Sequence, residues 1–484
     1  MFLRPSFLLL CFAFCSLGAE EKRPNVLFIM ADDLRPELGC YGVEHIITPN
    51  LDRLAAGGVV FERAYCQEAI CMSSRFSMLS GCRPDTHDIW TNRDVRKQLA
   101  DLPFLPAHFK KHGYHSIGLG KIAHNGWEEP SCWSEPHFLP AHYPFEYRTE
   151  AGQALVQKMQ REAAAAGKPD PFENVPTKIR RGLPVESLDV ADSDLGDGQL
   201  ADEAIAALRR VKDRPFFLGL GFLRPHLPFV TPKRYFDLYD PAKLPLAAVG
   251  TKSPSVPEIA ASGSGELRGQ YRGMPAKGPL PESQTRHLLH GYLACVSYVD
   301  AQVGRVLDEL DRLGLSENTI VVMVSDHGFH LGDLGIWGKA TNFEVATRIT
   351  LIVKAPAAKA RNAHSRSLVE LVGLYPTLCD LAGLPKPEHL EGSSFAALMD
   401  DPSQALFTGA LSQFPRSGAM GRSLRTDQHR YTEWIDQKSG KVVARELYDH
   451  ERDPHEADNL TAKTGHEALI KTLSKQLHQS PAIP

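Results

Sequence analysis

The sequence predicts an α/β protein: a large, mostly parallel sheet sandwiched by helices, followed by a smaller C-terminal α+β subdomain containing an antiparallel sheet. Three observations carry that prediction. Four near-continuous apolar runs alternate with stretches of helical spacing, the pattern of strands buried on both faces. Each run stops abruptly at polar residues. After about residue 400 the texture changes to short strand-like segments separated by turns.

The elements follow in order. Residues 1–19 carry Arg4, an apolar run from Phe7 to Leu17 and the small pair Gly18 and Ala19, which reads as a secretory signal peptide too short for a comfortable membrane span. The strand "NVLFIM" runs into Asp32 and Asp33, and "TPNLDRLAAGG" has helical spacing. From Cys71, "CMSSRFSMLS" reads as a helix closed by Gly81, with Pro84 beyond. The helix "LPAHFKKHG" leads to the strand "HSIGLG", which stops at Lys121 with His124 just after. Residues 151–190 read as a polar helix and an irregular, Pro-containing segment. The helix "GQLADEAIAALRRVKD" ends at Asp213–Pro215, and the strand "PFFLGLGF" runs toward Arg224 and His226. Residues 250–285 are rich in Gly, Pro and Ser, the composition of a long surface loop bordering a site. The helix "SYVDAQVGRVLDELDRLG" stops at Gly314, and the strand "TIVVMVS" ends at Asp326 and His327. "RSLRTDQHRYTEWID" and "KVVARELYDHERDP" then read as the short strands of the C-terminal unit.

Composition narrows the function. The 484 residues are 43% apolar and carry a net charge of −4, with no dominant basic or acidic block. Neither nucleic acid nor a membrane surface is therefore implied as a partner. Setting aside Cys11 and Cys15 of the leader, seven cysteines remain, an odd number that leaves at least one unpaired or chemically altered. Their spacing fits no zinc pattern and is too sparse for a disulfide scaffold.

In parallel sheets, ligands bind beyond the carboxyl ends of the strands, which would gather the polar clusters at one edge. Adjacent carboxylates such as Asp32 and Asp33 repel each other unless solvent or a cation compensates. A second acidic strand end, Asp326 with His327, favours a shared divalent cation over two solvated turns. Oxygen-rich ligation points to calcium or magnesium rather than zinc, with His327 coordinating directly or standing behind the ligands. Cys71 opens a helix, whose N-terminus stabilises anions and would lower a thiol's pKa; the plainer alternative is a small buried cysteine. Arg75, one turn on, could hold an anion or make a surface ion pair. Lys121, His124, His226 and Lys339 are each weak signals alone. Together they supply what chemistry on an anion needs: a cation, fixed positive side chains, a nucleophile and a proton donor.

The segments "NVLFIMADDLRPELGCYG", "CMSSRFSMLSGCRPDT", "GKIAHNGW", "RPHLPFVTPKRYFDLY" and "VSDHGFHLGDLGIWGKATNFEVATRITLIV" resemble the sulfatase family, in the branch typified by iduronate-2-sulfatase. The likeness continues through "SLRTDQHRYTEW" and "ELYDHERDPHEADNL", so it spans nearly the whole mature chain. It implies an alkaline-phosphatase-like fold, with a catalytic domain at 20–400 and a C-terminal subdomain at 401–484. It also implies that Cys71 is oxidised to formylglycine by a maturing enzyme, and that Asp32, Asp33, residue 71, Asp326 and His327 surround Ca²⁺. By the same carry-over, Arg75 and Lys121 steady the formylglycine and sulfate charges, and His124 assists release of sulfate from the covalent intermediate. His226 and Lys339 bind the sulfate and favour departure of the sugar oxygen. The implied substrate is a sulfated poly- or oligosaccharide, first a uronate 2-O-sulfate. Phosphate or phosphonate ester hydrolysis, or silent sulfated-glycan binding if Cys71 is not matured, are the alternatives.

Three residues depart from the pattern: Ser73 stands where the family has Pro or Ala, Phe329 where the iduronate enzyme has Trp, and Arg224 where it has Lys. The last two are expected to alter sugar recognition. With the leader and one Asn-x-Thr site, Asn459 to Thr461, a secreted or periplasmic location is expected, with no membrane association after cleavage.

Overall fold

Alternation along single strands decides how the large sheet is covered. Every residue of β1 (Asn25–Asp32) is buried. Leu27, Ile29 and Ala31 join one apolar cluster, while Val26, Phe28 and Met30 join another. The period of two sends alternate side chains to opposite faces, and both faces find helices. The computed structural model describes residues 23–91, 102–124, 129–140, 150–167 and 182–479. The expected signal peptide, residues 1–19, lies outside the described residues.

Six further strands complete the sheet: β2 (Val59–Phe61), β3 (His115–Gly120), β4 (Phe216–Pro225), β5 (Thr319–Ser325), β6 (Leu351–Lys354) and β7 (Ala363–Ser365). Their order is β7-β2-β6-β5-β1-β4-β3. β5, β1, β4 and β3, the four runs expected as strands, are consecutive parallel neighbours. β6 alone runs antiparallel to its partners, β5 and β2. In register, Ala31 pairs with Ser325, Asp32 with Pro225 and Gly120 with Gly221, so four carboxyl ends lie side by side.

One face is covered by α1 (Pro49–Ala56), α5 (Gly196–Val211) and α7 (Glu282–Arg312), the other by α2 (Cys71–Ser80) and α3 (Leu105–Lys111). The polar helix expected after residue 150 is α4 (Glu150–Ala165), and most of the irregular segment after it lies outside the described residues. α7 corrects the sequence reading, which starts this helix at Ser297. Apolar residues three and four apart, Leu288, Leu289, Tyr292, Leu293, Val296 and Val299, carry it back to Glu282, where Pro281 suits a helix start. The loop expected over 250–285 is correspondingly shorter, and it contains α6 (Gly265–Gln270).

The C-terminal unit is the expected antiparallel sheet, a meander of β8 (Ala410–Arg416), β9 (Ala419–Arg425), β10 (His429–Asp436) and β11 (Val442–Asp449), followed by α8 (Glu467–Gln479). It is tied to the segment that leads into α2: the Ser412 hydroxyl donates to the Cys66 carbonyl at 2.6 Å and the Gln413 amide to the Gln67 carbonyl at 2.8 Å.

Candidate active site

Two successive residues of an extended strand point their side chains to opposite faces. Asp33, just past β1, instead adopts a left-handed conformation, φ 64°, a state costly for a non-glycine residue and found where the surroundings over-determine it. Its carbonyl accepts the Tyr292 hydroxyl at 2.9 Å, and its amide donates to Asp326 Oδ1 at 3.2 Å. The turn lets both carboxylates serve one spot. Ligating atoms of Asp32, Asp33, Cys71 and His327 all lie within 4.8 Å of one another, every residue buried.

Cys71 is the first residue of α2, which ends, as expected, at Gly81 in the left-handed region, φ 71°. One turn on, Arg75 is wholly buried rather than on the surface. Its Nε donates to Asp326 Oδ2 at 2.8 Å, its Nη2 to Asp32 Oδ1 at 3.2 Å, and its Nη1 to the Lys121 and Ile122 carbonyls. Lys121 Nζ donates to the other oxygen of Asp32. On the opposite side Lys339 Nζ donates to both oxygens of Asp33, at 2.7 and 2.9 Å. His226 Nε2 lies 3.9 Å from Asp33 Oδ2.

Asp326 stands beside the tight four-residue set. Its Oδ1 accepts the backbone amides of Asp33 and His327, and its Oδ2, bound to Arg75, is 3.6 Å from His327 Nε2. His124 follows Lys121 at the end of β3, half-buried. Nine of the ten sequence-predicted site residues are thus tied by direct contact into one cluster, and His124 adjoins it.

The charges hold one another in place. Burial would raise the Asp32 pKa, but Lys121, His226 and Arg75 keep it well below the usual carboxylate range. Burial, with Asp32 alongside, pushes Asp33 up to about 7 against the pull of Lys339. Burial and Lys121 drive the His124 imidazole down to about 2, so it is neutral. Lys121 is the reverse: burial opposes its charge, and Asp32 overcomes that and raises it. The Cys71 thiol corrects the sequence reading. Burial, reinforced by Asp32, raises it well above the ordinary thiol value despite Lys121 and Lys339, so the helix terminus does not yield a thiolate.

The His327 ring tests whether a cation suits the site. Its Nδ1 is 2.9 Å from the Gly328 carbonyl; with that nitrogen as donor, the Nε2 lone pair is left facing inward. There it meets Cys71 Sγ at 3.4 Å, Asp33 Oδ1 at 3.5 Å and Asp326 Oδ2 at 3.6 Å. The two carboxylate oxygens repel that lone pair, whereas the Cys71 thiol can donate to it, and a divalent cation among the oxygens removes the conflict. Carboxylate oxygens outnumbering a single imidazole fit a hard cation.

Residues 24–384 match the family model described as Sulfatase, and residues 332–482 match that for N-sulphoglucosamine sulphohydrolase, C-terminal. The chain belongs to the sulfatase family. This sulfatase is 32% identical to iduronate 2-sulfatase of Mus musculus over 93% of each chain. It is 31% identical to a sulfatase of Formosa agariphila, covering 97% of this chain and 91% of that one. A solved structure described as a complex with its substrate D-glucosamine-2-N,6-O-disulfate aligns with a TM-score of 0.74 at 21% identity, covering 95% of this chain and 99% of that one. At that identity the likeness is one of fold. The enzyme is a sulfuric ester hydrolase of the alkaline-phosphatase-like fold.

The sulfatase's departures from its branch lie beneath the site rather than in it. The Arg224 guanidinium donates to the Val230 carbonyl at 3.0 Å and the His226 carbonyl at 2.7 Å, so it braces the backbone that carries His226. Phe329 is fully buried, stacked on Tyr292 with ring centroids 5.9 Å apart. Both side chains are buried. Ser73 is wholly buried beside Glu68, whose carboxyl burial holds well above the usual range. One site residue escaped the sequence reading altogether: Glu266 of α6, 3.5 Å from both His226 and Lys339. It ends no strand and lies in a Gly/Ser-rich stretch, so nothing in the sequence singled it out.

Proposed function

We propose that this sulfatase removes sulfate from a sulfated poly- or oligosaccharide, first a uronate 2-O-sulfate, using a formylglycine made from Cys71 and a calcium ion. The observation that carries this reading is the convergence of Asp32, Asp33 and His327 on Cys71 at the start of α2. The iduronate 2-sulfatase relative supports the choice of sugar position. Asp32, Asp33, Asp326, His327 and residue 71 would hold the ion, Asp326 also serving Arg75.

When present, hydrated formylglycine supplies a gem-diol oxygen as nucleophile toward sulfur, and calcium polarises the sulfate oxygens. The chain's own residues do the rest. Arg75 and Lys121, drawn to the carboxylates, set positive charge around the anionic ester. His124, neutral because it is buried, stands to accept a proton during sulfate release. Lys339, held protonated by Asp33 and Glu266 although burial opposes it, stands with His226 to protonate the departing sugar oxygen. The net change is ester plus water to alcohol, sulfate and a proton. The reading also requires a maturing enzyme that accepts Ser73, and export by the leader to a secreted or periplasmic location.

Peptide mass spectrometry across Cys71, on protein from the native host, tests the modification, alongside turnover of aryl sulfate, aryl phosphate and a 2-O-sulfated uronate disaccharide. The expected result is an aldehyde at position 71 and sulfate release from the disaccharide. An intact thiol in turning-over enzyme overturns the formylglycine. An intact thiol with glycan affinity and no turnover indicates a silent binder, and faster phosphate cleavage a phosphoesterase.

A further inference from the structure

We infer that Glu266 is a positioning residue that holds His226 and Lys339 at the ester oxygen that leaves. The inference rests on the proposed roles of those two residues. His226 follows β4 and Lys339 comes more than a hundred residues later, yet a single carboxylate faces both: Oε1 is 3.5 Å from His226 Nε2 and Oε2 is 3.5 Å from Lys339 Nζ. Asp33 also faces both, but it belongs to the cation-binding set, and a carboxylate bound to a divalent ion gives much of its charge to that ion. Glu266 is then the acidic group left to orient the pair.

Its own placement is built. Ser264, just before α6, takes a left-handed conformation, φ 54°, and is 3% exposed. Its hydroxyl accepts the Trp337 amide at 2.9 Å, two residues from Lys339. The start of α6 is thereby clamped to the turn that carries Lys339. The Glu266 side chain is 21% exposed, against 10% for both of its partners and none for Asp33. It therefore sits on the outer side of the pair, toward an entering sugar.

When the S–O bond breaks, the bridging oxygen keeps the electron pair and must take one proton unless its anion is stable. A sugar or phenol oxygen needs that proton far more than nitrophenolate does. Glu266→Gln keeps the side chain's shape and removes its charge, so its effect falls on leaving groups that need help. The experiment compares kcat/KM for phenyl sulfate and 4-nitrophenyl sulfate in wild-type and E266Q enzyme, each pair measured on one preparation. The ratio cancels any loss of folded or matured protein. We expect the phenyl-to-nitrophenyl ratio to fall at least about tenfold in E266Q, within the range of general acid catalysis. An unchanged ratio, whether both rates hold or both drop, overturns the positioning role while leaving the sulfatase reading intact. A wild-type enzyme that cleaves neither ester nor the 2-O-sulfated disaccharide refutes the reading of the site and this inference with it; where only the disaccharide is cleaved, an E266Q enzyme that keeps its kcat/KM overturns the positioning role. Neither aryl ester contains a sugar, so the ratio is independent of which glycan is the natural substrate.

Discussion

At Arg75 a single guanidinium bridges two carboxylates from different strand ends, with no solvent reaching any of the three side chains. Removing it leaves buried Asp326 without its guanidinium partner and Asp32 with Lys121. Arg75→Ala is expected to cost about 3–5 kcal/mol in denaturant unfolding of the metal-free protein. Calcium should recover part of that loss. The proposed ion makes its own prediction: adding calcium to chelator-treated wild type should raise Tm with concentration, and Asp33→Asn should abolish most of the rise. A pH effect belongs to Glu446 of β11. Burial pushes its carboxyl up to about 7, although the Trp434 indole and the Tyr448 hydroxyl both donate to it. A carboxyl raised on folding binds its proton more tightly in the native state. Stability is therefore undiminished below the unfolded carboxyl range, falls as pH rises toward 7, and stays lowered above it. Glu446→Gln should be close to neutral at pH 5 and stabilising at pH 8, by on the order of 2 kcal/mol, read from urea melts at the two pH values. Single residues were legible where they ended a strand, as Asp32, Asp326 and Lys121 do. The Cys71 pKa was not, because burial and the nearby Asp32 outweigh the helix terminus and neither is visible in local sequence.

The elements explain why four strand ends make one site. β3 and β4 approach so closely beyond Gly120 that a Cβ on Gly221 would lie 2.0 Å from the Lys121 carbonyl oxygen. Glycine is required there by contact, at ordinary backbone geometry. Gly221→Ala should push the Lys121 segment away, separating Nζ from Asp32. The expected loss in kcat is about a hundredfold, the scale of removing one placed electrostatic donor, with the helical circular dichroism spectrum retained. The central strands were readable because each is buried on both faces and needs no partner identity to be recognised. The start of α7 was masked because its first half carries Arg286, His287, His290 and Gly291 among its apolar residues. Gly291 is there for packing: a Cβ would meet Phe229 and Val185 at 2.9 Å.

For the whole molecule, the C-terminal sheet is a wall of the core rather than a separate body. Trp434, Tyr448 and Ala419 from the meander share one apolar cluster with Leu334, Ile336 and Phe343, next to the Lys339 turn. Arg430, 1% exposed, pairs with Glu344 and Glu456 at 2.6 Å each. We propose a division at residue 400 in sequence, with a tight seam in space. A chain ending at residue 400 should be insoluble or inactive when expressed, whereas co-expression with 401–484 should restore activity if the seam can reassemble.

From its apolar runs and their polar stops, the sequence by itself determined the fold class, the four central strands and most of the residues gathered at their ends. Those properties are local, since burial on both faces leaves its mark on every strand. Only the tertiary structure decided that Arg75 joins two carboxylates, that Arg224 and Phe329 work from beneath the site, and that Glu266 faces His226 and Lys339. Each of those depends on which distant segments share a dry, low-dielectric space, where charge must be matched across the fold rather than along the chain.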